Sequence, residues 1–98
     1  MKQIIIKTWK ECKEKYPDTV ILVRYFDYYY TLNEDAHKLQ PCGCCVYIDT
    51  EHDGFEYASF VHYELDTMLP RLIRQGNKVG ITDILTEPKK KGTKTISL

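Results

Sequence analysis

The stretch Thr19-Val20-Ile21-Leu22-Val23-Arg24-Tyr25-Phe26-Asp27-Tyr28-Tyr29-Tyr30-Thr31-Leu32 decides the fold. Thr19 to Val23 is a continuous β-branched and apolar run. A run without polar alternation reads as a strand covered on both faces. Asp27 marks a bend, and Tyr28 to Leu32 reads as a second strand. Residues two apart on a strand share a face. Phe26, Tyr28 and Tyr30 are therefore expected on one side, with Asp27 and Tyr29 on the other. The aromatic run could pack on both faces as core or leave one face open. Tyrosine favours boundaries where its hydroxyl is wet, so an exposed face is the expectation. Such a face marks a contact surface, for protein as readily as for DNA.

Working outward, Ile5, Trp9, Cys12 and Tyr16 recur at helical spacing, with Lys7, Lys10, Glu11, Glu14 and Lys15 off that stripe. Pro17-Asp18 ends this helix. On the other side, Asn33 reads as an N-cap for a helix through Leu39, with Glu34 and Asp35 in the first turn. Pro41 stops it. Cys45 to Ile48 and Phe55 to Val61 read as a strand pair around the acidic turn Asp49 to Gly54. Leu65, Met68, Leu69, Leu72 and Ile73 follow helical spacing, and Gly76 is a C-terminal stop. Lys78 to Thr82 is a further strand, Pro88 to Gly92 a basic loop, and Thr93 to Leu98 a last strand. The expected class is α/β (α+β mixed): a single mixed sheet of about five to six strands flanked by about three helices. The 98 residues read as one domain over positions 1–98.

Net charge is zero, but the charges are unevenly placed. Residues 1–24 hold six Lys/Arg against three acids, a net +3. Residues 25–66 hold one Lys against nine acids, a net −8, and residues 67–98 hold seven Lys/Arg against two acids, a net +5. A nucleic acid would meet the two basic ends rather than the middle. There is no secretory signal and no apolar stretch near the roughly 20 residues that span a bilayer, so the expected compartment is the cytoplasm and no membrane partner is expected.

No catalytic motif emerges, and the chain is expected not to be an enzyme. It lacks G-x-x-x-x-G-K-[ST], and no Ser-His-Asp or Cys-His pairing has a distinctive context. Cys42-Gly43-Cys44-Cys45 contains a C-x-x-C spacing. Zinc needs a fourth ligand, and Cys12, His37 and His62 are scattered singly. A redox pair would be expected at a helix start, whereas this cluster precedes a strand. The favoured reading is a turn with one or two buried thiols, with no metal and no cofactor.

Three blocks carry a family resemblance. The first runs through Tyr16-Pro17-Asp18, Val20 to Val23, Arg24, Phe26-Asp27-Tyr28-Tyr29-Tyr30 and Glu34-Asp35-Ala36. The second is Leu69-Pro70-Arg71-Leu72-Ile73-Arg74-Gln75-Gly76-Asn77-Lys78-Val79-Gly80-Ile81, and the third Leu85-Thr86-Glu87-Pro88-Lys89-Lys90. In order and nearly in spacing, they resemble the N-terminal, DNA-contacting domain I of the MutS mismatch repair family. The first block resembles its Tyr-Pro-Asp, hydrophobic strand, Arg, Gly-Asp-Phe-Tyr-Glu and Asp-Asp-Ala. The resemblance implies a MutS domain I-like fold in a stand-alone domain, without the ATPase and clamp domains of the whole protein. It also implies that an aromatic at position 28 wedges into DNA at a mismatch while position 30 hydrogen-bonds the displaced base. Three positions depart from the pattern: Tyr30 stands for a Glu, Phe26 for a Gly, and Tyr63 for a His in a Gly-x-Pro-Tyr-His turn. These bear on mismatch specificity, not on the fold.

The expected function is a non-catalytic module binding duplex DNA weakly, through Tyr28 and Tyr30 against bases. Arg71, Arg74, Lys78, Lys89, Lys90 and Lys91 are the candidate phosphate contacts. The competing class is a protein-interaction module using the same aromatic face, which the acidic middle favours. A protein partner supplying further repair domains is compatible with either.

Overall fold

The computed structural model describes residues 2–49 and 54–84, together with the backbone of 93–94. Its chain order is α1 (Gln3–Lys15), β1 (Thr19–Tyr25), β2 (Tyr28–Leu32), α2 (Asn33–Leu39), β3 (Tyr47–Asp49), β4 (Phe55–Val61), α3 (Leu65–Arg74), β5 (Lys78–Ile84) and β6 (Thr93–Lys94). The six strands form one sheet in the order β3-β4-β2-β1-β5-β6. The β1–β5 pair is parallel, from Thr19 opposite Lys78 to Tyr25 opposite Ile84. The other neighbours are antiparallel, so the sheet is mixed as expected.

The central strand explains its own sequence. Ile21 and Val23 join Ile5, Ile6, Trp9, Cys12 and Leu32 under α1. Val20 and Leu22 join Tyr29, Ala36, Leu39, Phe60, Met68, Leu72 and Val79 under α2 and α3. All four β1 residues are buried, so each alternate position has an apolar partner layer. Helix α1 therefore lies on one sheet face, and α2 with α3 on the other.

Asp35 ties the layers together. Its carboxylate accepts hydrogen bonds from Trp9 Nε1 at 3.1 Å, the Ile21 backbone N–H at 3.0 Å and Lys13 Nζ at 3.1 Å. Lys13 Nζ also donates to the Thr19 carbonyl at 2.7 Å. Burial of Asp35 raises its pKa, and the Ile21 N–H and the Lys13 charge work against that shift. An acid expected to serve the α2 dipole is instead the polar hub between α1, β1 and α2.

Three local expectations change. Tyr16 lies past the end of α1 with non-helical backbone and is exposed, because the helical stripe closes at Cys12. Asn33 is not a side-chain cap. Its φ is 50°, so the chain passes straight from β2 into α2 through a left-handed residue, a conformation Asn tolerates. The strand expected from Cys45 begins at Tyr47, because Gln40–Cys42 adds a 3-10 turn and the Cys44 N–H bonds back to the Leu39 carbonyl. Gly76 does end α3, with φ 91° and its N–H on the Ile73 carbonyl. The turn 50–53, the block 85–92 and residues 95–98 lie outside the described residues.

Candidate nucleic-acid interface

Strands β1 and β2 are joined by a two-residue turn, Phe26-Asp27, with Tyr25 directly opposite Tyr28. Phe26 has a φ of 57°, and Asp27 is not in that region. A positive φ at the first central residue alone is the pattern of type II′ hairpins, which ordinarily place glycine there. Phe26 is thus not on the strand face shared by Tyr28 and Tyr30. It stands at the hairpin tip, 51% exposed, with its ring edge-on to Tyr25 at 4.6 Å between centroids. Arg24 Nε donates to the Phe26 carbonyl at 3.0 Å, and the His62 N–H donates to the Asp27 carbonyl at 2.7 Å. These two bonds brace the turn from both sides.

The alternation along β2 is as read from the sequence. Tyr29 turns to the α2/α3 layer, is buried, and stacks on Phe60 at 5.3 Å. Tyr28 and Tyr30 turn to the α1 side, with centroids 6.3 Å apart. Helix α1 returns antiparallel to β1 through the turn at Tyr16-Pro17-Asp18. It packs over Ile21, Val23 and Leu32, with Tyr25, Tyr30 and Ile84 partly buried against the same cluster. Tyr28, next to the turn, is 47% exposed. Tyr30 is half-buried, and its pKa is raised first by that burial and then by the neighbouring phenols Tyr28, Tyr57 and Tyr25. Its hydroxyl stays protonated at neutral pH and can donate or accept, which a carboxylate there could not do in the same way. Tyr63, 72% exposed, follows His62 at the same end of the sheet.

Of the cations chosen from the sequence, the described ones, Arg71, Arg74 and Lys78, do not join this surface. Helix α3 packs Met68 and Leu72 into the cluster that holds Tyr29, so Arg71 and Arg74 belong to the opposite layer. Arg71 Nη1 donates to the Cys42 carbonyl at 2.7 Å and fastens α3 to the 3-10 turn. Lys78 starts β5 beside Thr19, roughly 20 Å of strand from the Tyr25 end. Lys89, Lys90 and Lys91 lie outside the described residues. Arg24 is the cation bonded into the turn; it belongs to the first family block but was not among the expected phosphate contacts. Lys10 stands over the Phe55 ring at 4.8 Å, on the α1 side of the sheet.

The thiol cluster resolves into separate environments. Cys42 and Cys44 are buried, Cys45 is exposed, and all are free. Burial pushes the Cys44 thiol up. Among the described residues no group of three or more His, Cys, Asp or Glu is arranged to hold a metal ion, and no helix is long and apolar enough to cross a membrane.

Residues 3–97 match the family described as MutS domain I. This chain belongs to that family. Its sequence is 38% identical over 94 residues to the DNA mismatch repair protein MutS of Christiangramia forsetii, covering 94% of this chain and 11% of that protein. It is 36% identical over 96 residues to MutS of Porphyromonas gingivalis (94% of this chain, 10% of that protein). Against MutS of Cytophaga hutchinsonii it is 39% identical over 87 residues (86% and 10%). The chain spans about a tenth of the length of the curated relatives it matches. Tyr28 and Tyr30, which the resemblance sets at the family's Phe and Glu positions, share one sheet face, Tyr28 exposed and Tyr30 half-buried.

Proposed function

We propose that this MutS domain I is a non-catalytic, cytoplasmic DNA-binding module that meets mismatched or otherwise distorted duplex through Tyr28, with Tyr30 behind it. The observation that carries the reading is the exposed Tyr28, presented on a braced hairpin beside the half-buried Tyr30. The relatives are named DNA mismatch repair proteins, which supports the same substrate class. Stacking of one base on an aromatic ring is worth about 1–3 kcal/mol, and apolar wedges of this kind unstack and kink a duplex step. A chain of zero net charge adds little phosphate attraction, so the binding is weak and only mildly salt-dependent.

Fluorescence anisotropy at low salt tests this with labelled matched, G·T-mismatched and single-stranded oligonucleotides. The expected result is binding that weakens about fivefold or more in Tyr28→Ala. No binding to any of the three, or binding indifferent to Tyr28→Ala, sinks the reading.

A second reading has its own observation. Strand β3 is a sheet edge whose Tyr47 and Ile48 are 51% and 63% exposed, within the segment of net charge −8. An exposed edge of this kind suits pairing with another protein or a second copy. Light scattering after size exclusion separates this case: a dimer lost in Ile48→Lys supports it, and a monomer at every concentration removes self-association.

A further inference from the structure

We propose that the β3 edge of the sheet binds an extended, cationic segment of a partner protein by strand addition, the segment's Lys or Arg side chains meeting the carboxylates of the β3–β4 hairpin. This deepens the second reading above and rests on it. Strand β3 ends the sheet, and among the described residues no strand lies on its outer side. An edge of this kind presents backbone N–H and C=O groups to a further strand, and natural edges are guarded by lysine, proline, a bulge or shortness. β3 is short, but Tyr47-Ile48-Asp49 pairs with β4 in regular register and holds neither lysine nor proline. Tyr47 stands on the α1 side, its ring 5.6 Å from that of Tyr57, which packs against the α1 cluster. Ile48 stands on the other side, opposite Glu56, whose carboxylate meets His37 of α2. Both Tyr47 and Ile48 are exposed. The edge is therefore apolar on both faces, so an added strand buries apolar area on either side.

Charge decides the occupant. Residues 39–70 hold six carboxylates, Asp49, Glu51, Asp53, Glu56, Glu64 and Asp66, and no Lys or Arg. The β3–β4 hairpin lies wholly within that stretch. Most cations on the elements packed around it are engaged. Lys10 of α1 stands over the Phe55 ring at 4.8 Å, Arg71 of α3 donates to the Cys42 carbonyl at 2.7 Å, and His37 lies 2.9 Å from Glu56. Lys38, exposed at the end of α2 beside the Cys42 turn, is the exception among the described residues. Six acids against Lys10, Lys38 and Arg71 leave a net −3. That sign repels the phosphates of a nucleic acid. It also opposes a second copy, because β3 against β3 would set two acidic hairpins side by side. A cationic strand has neither conflict. Neighbouring strands lie about 4.8 Å apart, so a strand on β3 runs about 10 Å from β4, and a Lys or Arg side chain can reach Glu56.

The test uses three short labelled peptides at low salt: one alternating lysine and valine, its glutamate–valine counterpart, and a lysine–proline counterpart that keeps the charge and is a poor strand. By anisotropy the lysine–valine peptide is expected to bind about tenfold or more tighter than either counterpart, because both ladder bonds and charge contribute. Its binding should shift the backbone amide NMR signals of Tyr47 and Ile48. Ile48→Lys and Glu56→Gln should each weaken it about fivefold. Ile48 is exposed and Glu56 is half exposed, so both variants stay folded, with circular dichroism as the check. Equal binding of the lysine–proline peptide overturns strand addition, and equal binding of the glutamate–valine peptide overturns the charge argument. Affinity unchanged in Ile48→Lys puts the contact elsewhere and overturns the proposal as well. No peptide binding, together with a dimer that Ile48→Lys dissolves, makes a second copy the occupant; the proposal then falls and the edge reading stands. No peptide binding by a folded monomer removes both.

Discussion

Phe26 costs the native state stability for its position. A non-glycine residue in the left-handed region is disfavoured by about 1–2 kcal/mol, while glycine brings a smaller entropic cost of its own. Phe26→Gly is expected to raise stability by about 0.5–1 kcal/mol, read as a higher midpoint in a thermal or urea melt. An unchanged or lower midpoint would mean that the ring's contact with Tyr25 outweighs the strain. Asp35 is the opposite case. Its truncation to alanine leaves the Trp9 indole N–H, the Ile21 backbone N–H and the Lys13 ammonium without their acceptor. Each buried donor left unpaired costs about 1–3 kcal/mol, so Asp35→Ala should cost about 3 kcal/mol or more in denaturant unfolding. The cysteines differ by exposure. A thiol reagent added to the folded protein should label Cys45 fast and reach Cys12, Cys42 and Cys44 only on unfolding.

Elements meet through contacts that the local sequence does not announce. His37 on α2 lies 2.9 Å from Glu56 on β4, and both side chains are about half exposed. The hydrogen bond with Glu56, then its charge, raises the His37 pKa above the ordinary value of 6.5. The folded state therefore holds this proton more tightly than the unfolded chain does. The pair's contribution is complete below the ordinary histidine range and is lost as pH rises through the raised folded value. Proton NMR should show His37 titrating above 6.5, and Glu56→Gln should bring the midpoint down. Loss of any difference between the two would show that the pair does not form in solution. Strand β1 was legible because both of its faces are buried, so burial left a continuous apolar run in the sequence. Leu22, fully buried, should lose about 2–5 kcal/mol on truncation to alanine. Strand β3 was less legible, since Tyr47 and Ile48 are exposed and only Asp49 is buried. The 3-10 turn ahead of it consumed residues that looked like strand.

For the whole molecule, charge placement matters more than its zero sum. Among the described residues, the cations of the two basic ends are divided by the fold. Residues of α1 lie on one face of the sheet, while Arg71 and Arg74 lie on the other with α3. A duplex resting on the hairpin end cannot use both sets at once. The slope of log affinity against log salt should therefore correspond to about one or two phosphate contacts, well short of the six to ten of strongly electrostatic binders. A steep slope would place the basic helices, not the aromatic tip, at the centre of binding.

The sequence by itself determined the family, the order of the elements, the doubly buried central strand and the sharing of one face by Tyr28 and Tyr30. Those properties are local or periodic, and burial writes them into residue type. Only the tertiary structure decided that Phe26 leaves the strand for a left-handed turn, that Asp35 is a buried hub, and that Arg71, Arg74 and Lys78 stand away from the aromatic end. Each of those depends on which distant segments meet. Trp9 and Lys13 reach Asp35 across more than 20 positions of sequence, and His62 closes the turn at Asp27 across more than 30. Periodicity within one segment holds no record of such meetings.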